Sequence, residues 1–293
     1  MSTHRTAPEL PQGITFVKDH GQDAYRIETE LCTGLVHVNG AHVTEWTPAG
    51  QDPVLWLSKD AVFGPGKAIR GGIPICWPWF GPGRDGDRSP AHGIARLLPW
   101  SLVEADVSEA GEARLSFELA GGELPESAGV PADATVRYTV GFGSVLNLDL
   151  TVTAGAQPVS YEEALHTYLA VGDVHRVTLE GLADTRYLDK VGDGEITQEG
   201  PVKFITETDR IYFSDDTVSL VDDASGRRIE LQKTNSANTV VWNPWADKAA
   251  AMTDFGDDEW PTMCCIETVN CLANEISLSP GEQHTMSTTV LVP

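Results

Sequence analysis

Basic side chains are scarce in this sequence. Lys and Arg number 20 among 293 residues, against 43 Asp and Glu, for a formal net charge of −23. Nucleic-acid binding needs Lys and Arg to displace counterions from phosphates, and an anionic membrane surface attracts the same side chains. Neither partner is expected. The acidic balance reads as a solvated surface that keeps a monomer soluble, and an anionic substrate would need a local cluster of positive charge within that field. Long apolar runs are also missing, since no uncharged stretch approaches the ~20 residues of a membrane-spanning helix. The segment from Met1 to Pro8 lacks the apolar core of a secretory leader. The five cysteines form an odd set with no CxxC pair. Adjacent Cys264 and Cys265 would point to opposite faces of a strand, which makes them poor partners on one zinc ion. Reduced thiols in a cytoplasmic protein are therefore expected. Phosphate-loop, HExxH and GxSxG patterns are absent, and Gly81-Pro82-Gly83, without a third glycine or a following helix, is a turn.

Hydrophobic residues make up 41% and charged residues 22%, the balance of a folded globular chain. Leu146, Leu148, Leu150 and Val152 alternate with polar residues, the period of a strand with one buried face. Val136, Tyr138, Val140 and Phe142 repeat the pattern across a Gly143-Ser144 break, and Leu115, Phe117 and Leu119 make a third strand. Leu35, Val36, Val38 and Val43 mark a β-rich N-terminal stretch, and residues 288–292 a terminal strand. No long segment shows helical periodicity with caps. The 28 glycines and 18 prolines punctuate the chain at the turn density of an antiparallel sandwich. An all-β chain of this length fits one domain, here residues 21–293, after an N-terminal extension of residues 1–20. Residues 64–99 break the alternation, and a long irregular stretch in a compact β protein is usually functional.

Four segments hold residues able to do chemistry. In Arg70-Gly71-Gly72-Ile73-Pro74-Ile75-Cys76-Trp77-Pro78-Trp79-Phe80, the aromatic residues either form a platform for a sugar ring or fill the core. Arg70 there suits a bidentate anion clamp. In His92-Gly93-Ile94-Ala95-Arg96 the His and Arg can share one cleft rim, or His92 is an ordinary structural group. In Glu162-Glu163-Ala164-Leu165-His166-Thr167-Tyr168, strand geometry puts Ala164, His166 and Tyr168 on one face. His166 is then either a binding-face residue or a partly buried structural one. Glu267 lies in the apolar run from Met263 to Asn270, where it is either a structural carboxylate or one whose pKa desolvation raises toward the range of a general base. Asp209, in Thr208-Asp209-Arg210-Ile211-Tyr212, is open between a sugar contact and a turn residue.

Taken together, RGGIPICWPWFGP, HGIAR, EEALHTYL, TDRIY, VVWNPW and CIETVN resemble the motifs of the aldose 1-epimerase superfamily, in particular its hexose-6-phosphate mutarotase branch. They run in family order from Arg70 to Asn270. The resemblance implies an all-β, galactose-mutarotase-like β-supersandwich of antiparallel strands. It also implies a cofactor-free interconversion of the α and β anomers of glucose 6-phosphate or a related hexose 6-phosphate. His166 stands at the family's general acid and Glu267 at its general base. Arg70 and Arg96 match positions associated with phosphate, and His92 and Asp209 match positions that contact the sugar. The family's usual HGFAR is HGIAR here, so Ile94 replaces an aromatic. Two other readings stay open: the same reaction on free aldoses, and a carbohydrate-binding protein without catalysis. A glycoside hydrolase would need a second carboxylate partner for Glu267, which the sequence does not offer.

Overall fold

The computed structural model describes residues 8–192 and 194–293. Every ladder between its strands is antiparallel. The hairpin expected around Gly143-Ser144 is formed by Thr135–Phe142 and Val145–Thr153. Val136, Tyr138, Val140, Phe142, Leu146, Leu148, Leu150 and Val152 are all completely buried. Each such Val or Leu contributes about 1.5–3 kcal/mol relative to an exposed one. Ala113–Ala120 extends the hairpin on one side. On the other side Gln283–Leu291 pairs with Val145–Thr153, so the terminal strand begins five residues earlier than the sequence pattern marked. These strands belong to a nine-stranded sheet.

A second large sheet packs against it and carries the chemistry-bearing segments. Its order runs from Gly194–Thr197 through Arg186–Asp189, Thr208–Tyr212, Asn238–Asn243, Met263–Asn270 and Glu163–Leu165 to Ile75–Cys76. Tyr168–Ala170 also pairs with Met263–Asn270. The main core lies between the sheets and takes Leu165, Val241, Cys264 and Ile266 from this sheet and Tyr138, Leu148 and Met286 from the other. The outer face holds two smaller apolar clusters, one with Tyr168, Trp242 and Cys265, the other with Cys76, Phe80, Ala164 and Val269. Cys264 and Cys265 thus do face opposite ways, and all five cysteines are buried and free.

The two glutamates before His166 explain how that strand is held. Glu162 accepts hydrogen bonds from the backbone N–H groups of Phe80 (3.0 Å) and Leu272 (2.7 Å). Glu163, completely buried between the sheets, accepts from Asn270 Nδ2 at 2.9 Å and meets His284 Nε2 of the opposite sheet at 3.1 Å. Of the stretch set apart as an N-terminal extension, residues 1–7 lie outside the described residues. Ile14–Asp19 is a strand paired along its length with Gln22–Glu28, within a four-stranded N-terminal sheet. Among the described residues the α-helix is Trp245–Ala251, and no helix is long and apolar enough to cross a membrane.

Candidate active site

All eight residues of Met263–Asn270 are buried. The strand's period of two sends Cys264 and Ile266 into the inter-sheet core, so Cys265, Glu267 and Val269 face outward, between the two smaller apolar clusters. Glu267 therefore sits as a carboxyl group in a nearly dry, apolar floor, 2% exposed. Burial pushes its pKa well above the usual carboxyl range, and the Asp209 carboxylate adds to this; Lys190 and Arg96 oppose it.

His166 lies in the two-residue gap between Glu163–Leu165 and Tyr168–Ala170, both of which pair with the strand of Glu267. Its own N–H donates to the Pro74 carbonyl at 3.1 Å, which fixes its height above the floor. The imidazole stacks on the Tyr168 ring, with centroids 4.7 Å apart and planes 9° from parallel. Its Nε2 is 3.4 Å from Glu267 Oε1. Burial, with help from His92, Arg96 and Arg70, lowers the His166 pKa well below 6.5. A carboxylate neighbour favours an imidazolium, but desolvation wins here, because neither charge is solvated on this floor. Glu267 Oε2 and His166 Nδ1 are buried without a hydrogen-bond partner among the described residues. Polar atoms left in that condition carry a cost.

Arg70 supports this pair from behind. Its guanidinium donates to the Tyr168 hydroxyl at 2.9 Å and to both carboxylate oxygens of Asp254 at 3.1–3.3 Å. Burial works against the charge, but Tyr168 and Asp254 more than offset it, and the pKa is raised. The contacts form one line: Asp254 holds Arg70, Arg70 holds Tyr168, and Tyr168 carries the ring of His166. Arg96, in the short 3-10 turn Ala95–Leu97, donates to the Ala91 carbonyl at 2.8 Å.

His92 has a left-handed backbone (φ 66°), as does Gly93 (φ 71°). A Cβ on Gly93 would lie 2.2 Å from the Trp77 carbonyl oxygen, so only glycine lets this turn close on the loop below. The turn brings the His92 ring edge-on to Phe80 and within 5.5 Å of the His166 centroid. Gly81 N–H donates to His92 Nδ1 at 3.3 Å. Burial first, then Arg96, Lys190 and Arg70, lower the His92 pKa to about 3. A neutral imidazole accepting at Nδ1 carries its proton on Nε2, so His92 can only donate from that nitrogen.

Asp209 is a strand residue, not a turn residue. It pairs with Trp242, which in turn pairs with Cys265, two residues before Glu267. Its Oδ2 lies 4.0 Å from Lys190 Nζ and 3.9 Å from Lys248 Nζ. Burial raises its pKa, and the two lysines pull it back. The fold thus brings His92, Arg96, His166, Asp209 and Glu267 together, with Arg70 one contact behind.

Trp77, Trp79 and Phe80 do not form the aromatic platform. They are 0%, 6% and 7% exposed and belong to the core clusters, where apolar burial outweighs display. The aromatic surfaces beside His166 are Tyr168 and Trp242 instead. Asp254, Lys190 and Lys248 were not singled out from the sequence. Asp254 lies 184 residues from its partner Arg70, and no local pattern links them. Among the described residues no group of three or more His, Cys, Asp or Glu is arranged to hold a metal ion.

The aldose 1-epimerase family model matches residues 23–291. A protein of Escherichia coli K12, provisionally named glucose-6-phosphate 1-epimerase, is 39% identical over 79% of this chain and 77% of its own length. A Salmonella typhimurium protein with the same provisional name is 37% identical over 80% and 79%. The crystal structure of a Salmonella typhimurium protein provisionally described as a mutarotase superposes with a TM-score of 0.88 at 30% identity. It covers 97% of this chain and 95% of that one.

Proposed function

The chain belongs to the aldose 1-epimerase family, and from that premise we propose that it interconverts the α and β anomers of glucose 6-phosphate or a related hexose 6-phosphate by acid–base chemistry without a cofactor. The observation that carries this reading is the buried pair His166 and Glu267, 3.4 Å apart, within reach of the charges of Arg70, Arg96 and Lys190. Glu267 takes the proton of the anomeric hydroxyl while His166 gives one to the ring oxygen. The C1–O5 bond breaks and the C1 aldehyde forms. Rotation about C1–C2 presents the other carbonyl face, closure reverses both proton transfers, and the enzyme is unchanged.

The pair holds one mobile proton. With the site empty, burial favours neutral His166 and protonated Glu267, whereas the ring-opening step starts from imidazolium and carboxylate. The proton count is the same in both, so a single transfer across 3.4 Å prepares the site. Ring opening then returns the pair to its neutral form, so desolvation of the floor favours the forward step. General acid and base groups each supply about 10²–10⁴-fold, which is ample for anomers that already exchange in water. His92 Nε2 and Asp209 flank this pair as donor and acceptor for sugar hydroxyls, and Arg96 adds positive charge beside it.

One competing reading has an observation in its favour. Arg70 is already neutralised by Asp254, and an arginine so engaged is a weaker claim on a phosphate, which leaves the same reaction on free aldoses in play. NMR exchange spectroscopy on equilibrated glucose 6-phosphate and, separately, on glucose decides between them. Acceleration confined to the phosphate, and abolished by His166→Ala, is the expected result. Acceleration of glucose alone would move the reaction to free sugars. The five buried thiols accord with a reducing cytoplasm, and a monomeric chain is part of the same reading.

A further inference from the structure

The cations around the floor are not equally free. Arg70 makes four hydrogen bonds to Asp254 and Tyr168. Arg96 gives one hydrogen bond, to the Ala91 carbonyl, and its Nε is buried without a partner among the described residues; Lys248 is held by the Glu207 carboxylate at 2.8 Å. Lys190 differs. Its backbone N–H is pinned to the Asp209 carbonyl at 2.9 Å, which fixes the root of the side chain beside the site. Its ammonium has Asp209 at 4.0 Å, too far for a hydrogen bond. The side chain is 34% exposed, so a ligand can reach it.

The ammonium also has a defined position. A Cβ built on Gly81 would lie 3.9 Å from Lys190 Nζ, and Gly81 is the residue whose N–H orients His92. Lys190 therefore stands between the loop that carries His92 and the strand that carries Asp209, at the edge of the floor that holds Glu267. A phosphomonoester entering there approaches two carboxyl groups on a protein of net charge −23. It needs a compact, positive donor that is not already engaged, and an ammonium with three rotatable N–H groups suits a tetrahedral anion.

We propose that Lys190 grips the phosphate of the substrate and is the residue by which the site tells a hexose phosphate from a free hexose; this rests on the anomer-exchange reading above. The test compares wild type, Lys190→Met and Lys190→Arg by exchange NMR on glucose 6-phosphate and glucose, and by ³¹P NMR titration with inorganic phosphate. Loss of a charge-assisted contact predicts a fall of about 10- to 100-fold in kcat/KM for glucose 6-phosphate in Lys190→Met. The inorganic phosphate affinity should weaken in parallel, activity on glucose should fall far less than activity on glucose 6-phosphate, and Lys190→Arg should recover most of the loss. An equal loss on both sugars would assign Lys190 to the chemistry or the fold and overturn the proposal. Unchanged phosphate affinity in Lys190→Met would overturn it too and return the anion to Arg70 and Arg96. If the wild type accelerates neither sugar, the reaction reading fails, and the phosphate titration still decides for or against Lys190.

Discussion

Replacing Glu267 with Gln separates chemistry from architecture at one atom. Gln has nearly the volume of Glu, and its carbonyl can keep the place of Oε1 opposite His166 Nε2, 3.4 Å away. What it cannot do is accept a proton. The loss of a general base is about 10²–10⁴-fold, or about 3–5 kcal/mol of barrier at 1.36 kcal/mol per decade. Stability should move the other way. The folded pKa of Glu267 is raised by burial, so its contribution is fullest below the unfolded pKa and is lost as pH rises toward the folded one. Gln has no such titration. Its melting temperature should therefore match or exceed that of wild type, with a gap that opens as pH rises above the usual carboxyl range. Exchange NMR gives the rate, saturation-transfer NMR gives sugar binding, and calorimetry gives the melting temperatures. Activity within tenfold of wild type would refute the base assignment. Lost activity together with lost sugar binding and a lower melting temperature would refute the chemical reading as well, because Glu267 would then be a structural group. Retained binding without catalysis in this variant, set beside an active wild type, also excludes a protein that only binds carbohydrate.

The sequence made the sheets legible because one face of each strand is buried. Leu146, Leu148, Leu150 and Val152 repeat every second residue, and all four are in the core. The same logic placed His166 on the face of Tyr168, and the two rings stack. It also divided Cys264 from Cys265, which enter different clusters. Periodicity was silent where both faces are buried or where the contact is remote. Trp77, Trp79 and Phe80 lie in a segment with almost no alternation, so a displayed platform and a packed core looked alike. The helix Trp245–Ala251 spans only seven residues, too few for a 3.6-residue period to emerge. Asp254 and Lys190 acquire meaning only through Arg70 and Asp209, partners supplied by the tertiary fold. The desolvation around His166 and Glu267 is likewise a product of the tertiary fold, built from residues far apart in the chain.

That desolvation and the acidic surface lead to two further expectations. The Michaelis constant for glucose 6-phosphate should fall as salt rises toward about 0.1 M, where the Debye length is about 10 Å and distant acidic charges are screened. It should then rise as the local cations are screened in turn. A monotonic rise from low salt would show that the local cationic site dominates throughout. For pH, the working form of the His166–Glu267 pair carries one proton, so activity is bounded by gain of a second and loss of the first. Gain of the second is resisted because burial, with His92, Arg96 and Arg70, lowers the His166 pKa below 6.5. Loss of the first is resisted because burial and Asp209 raise the Glu267 pKa above 4.5. The kcat profile for the bound complex should therefore have its acid limb below pH 6.5 and its basic limb above the usual carboxyl range. The substrate phosphate titrates near pH 6 on its own, so kcat at saturation is the quantity to follow, not kcat/KM. An acid midpoint above 6.5 in kcat would mean that the imidazolium is stabilised rather than suppressed on this floor, and the single-proton account of the pair would fall.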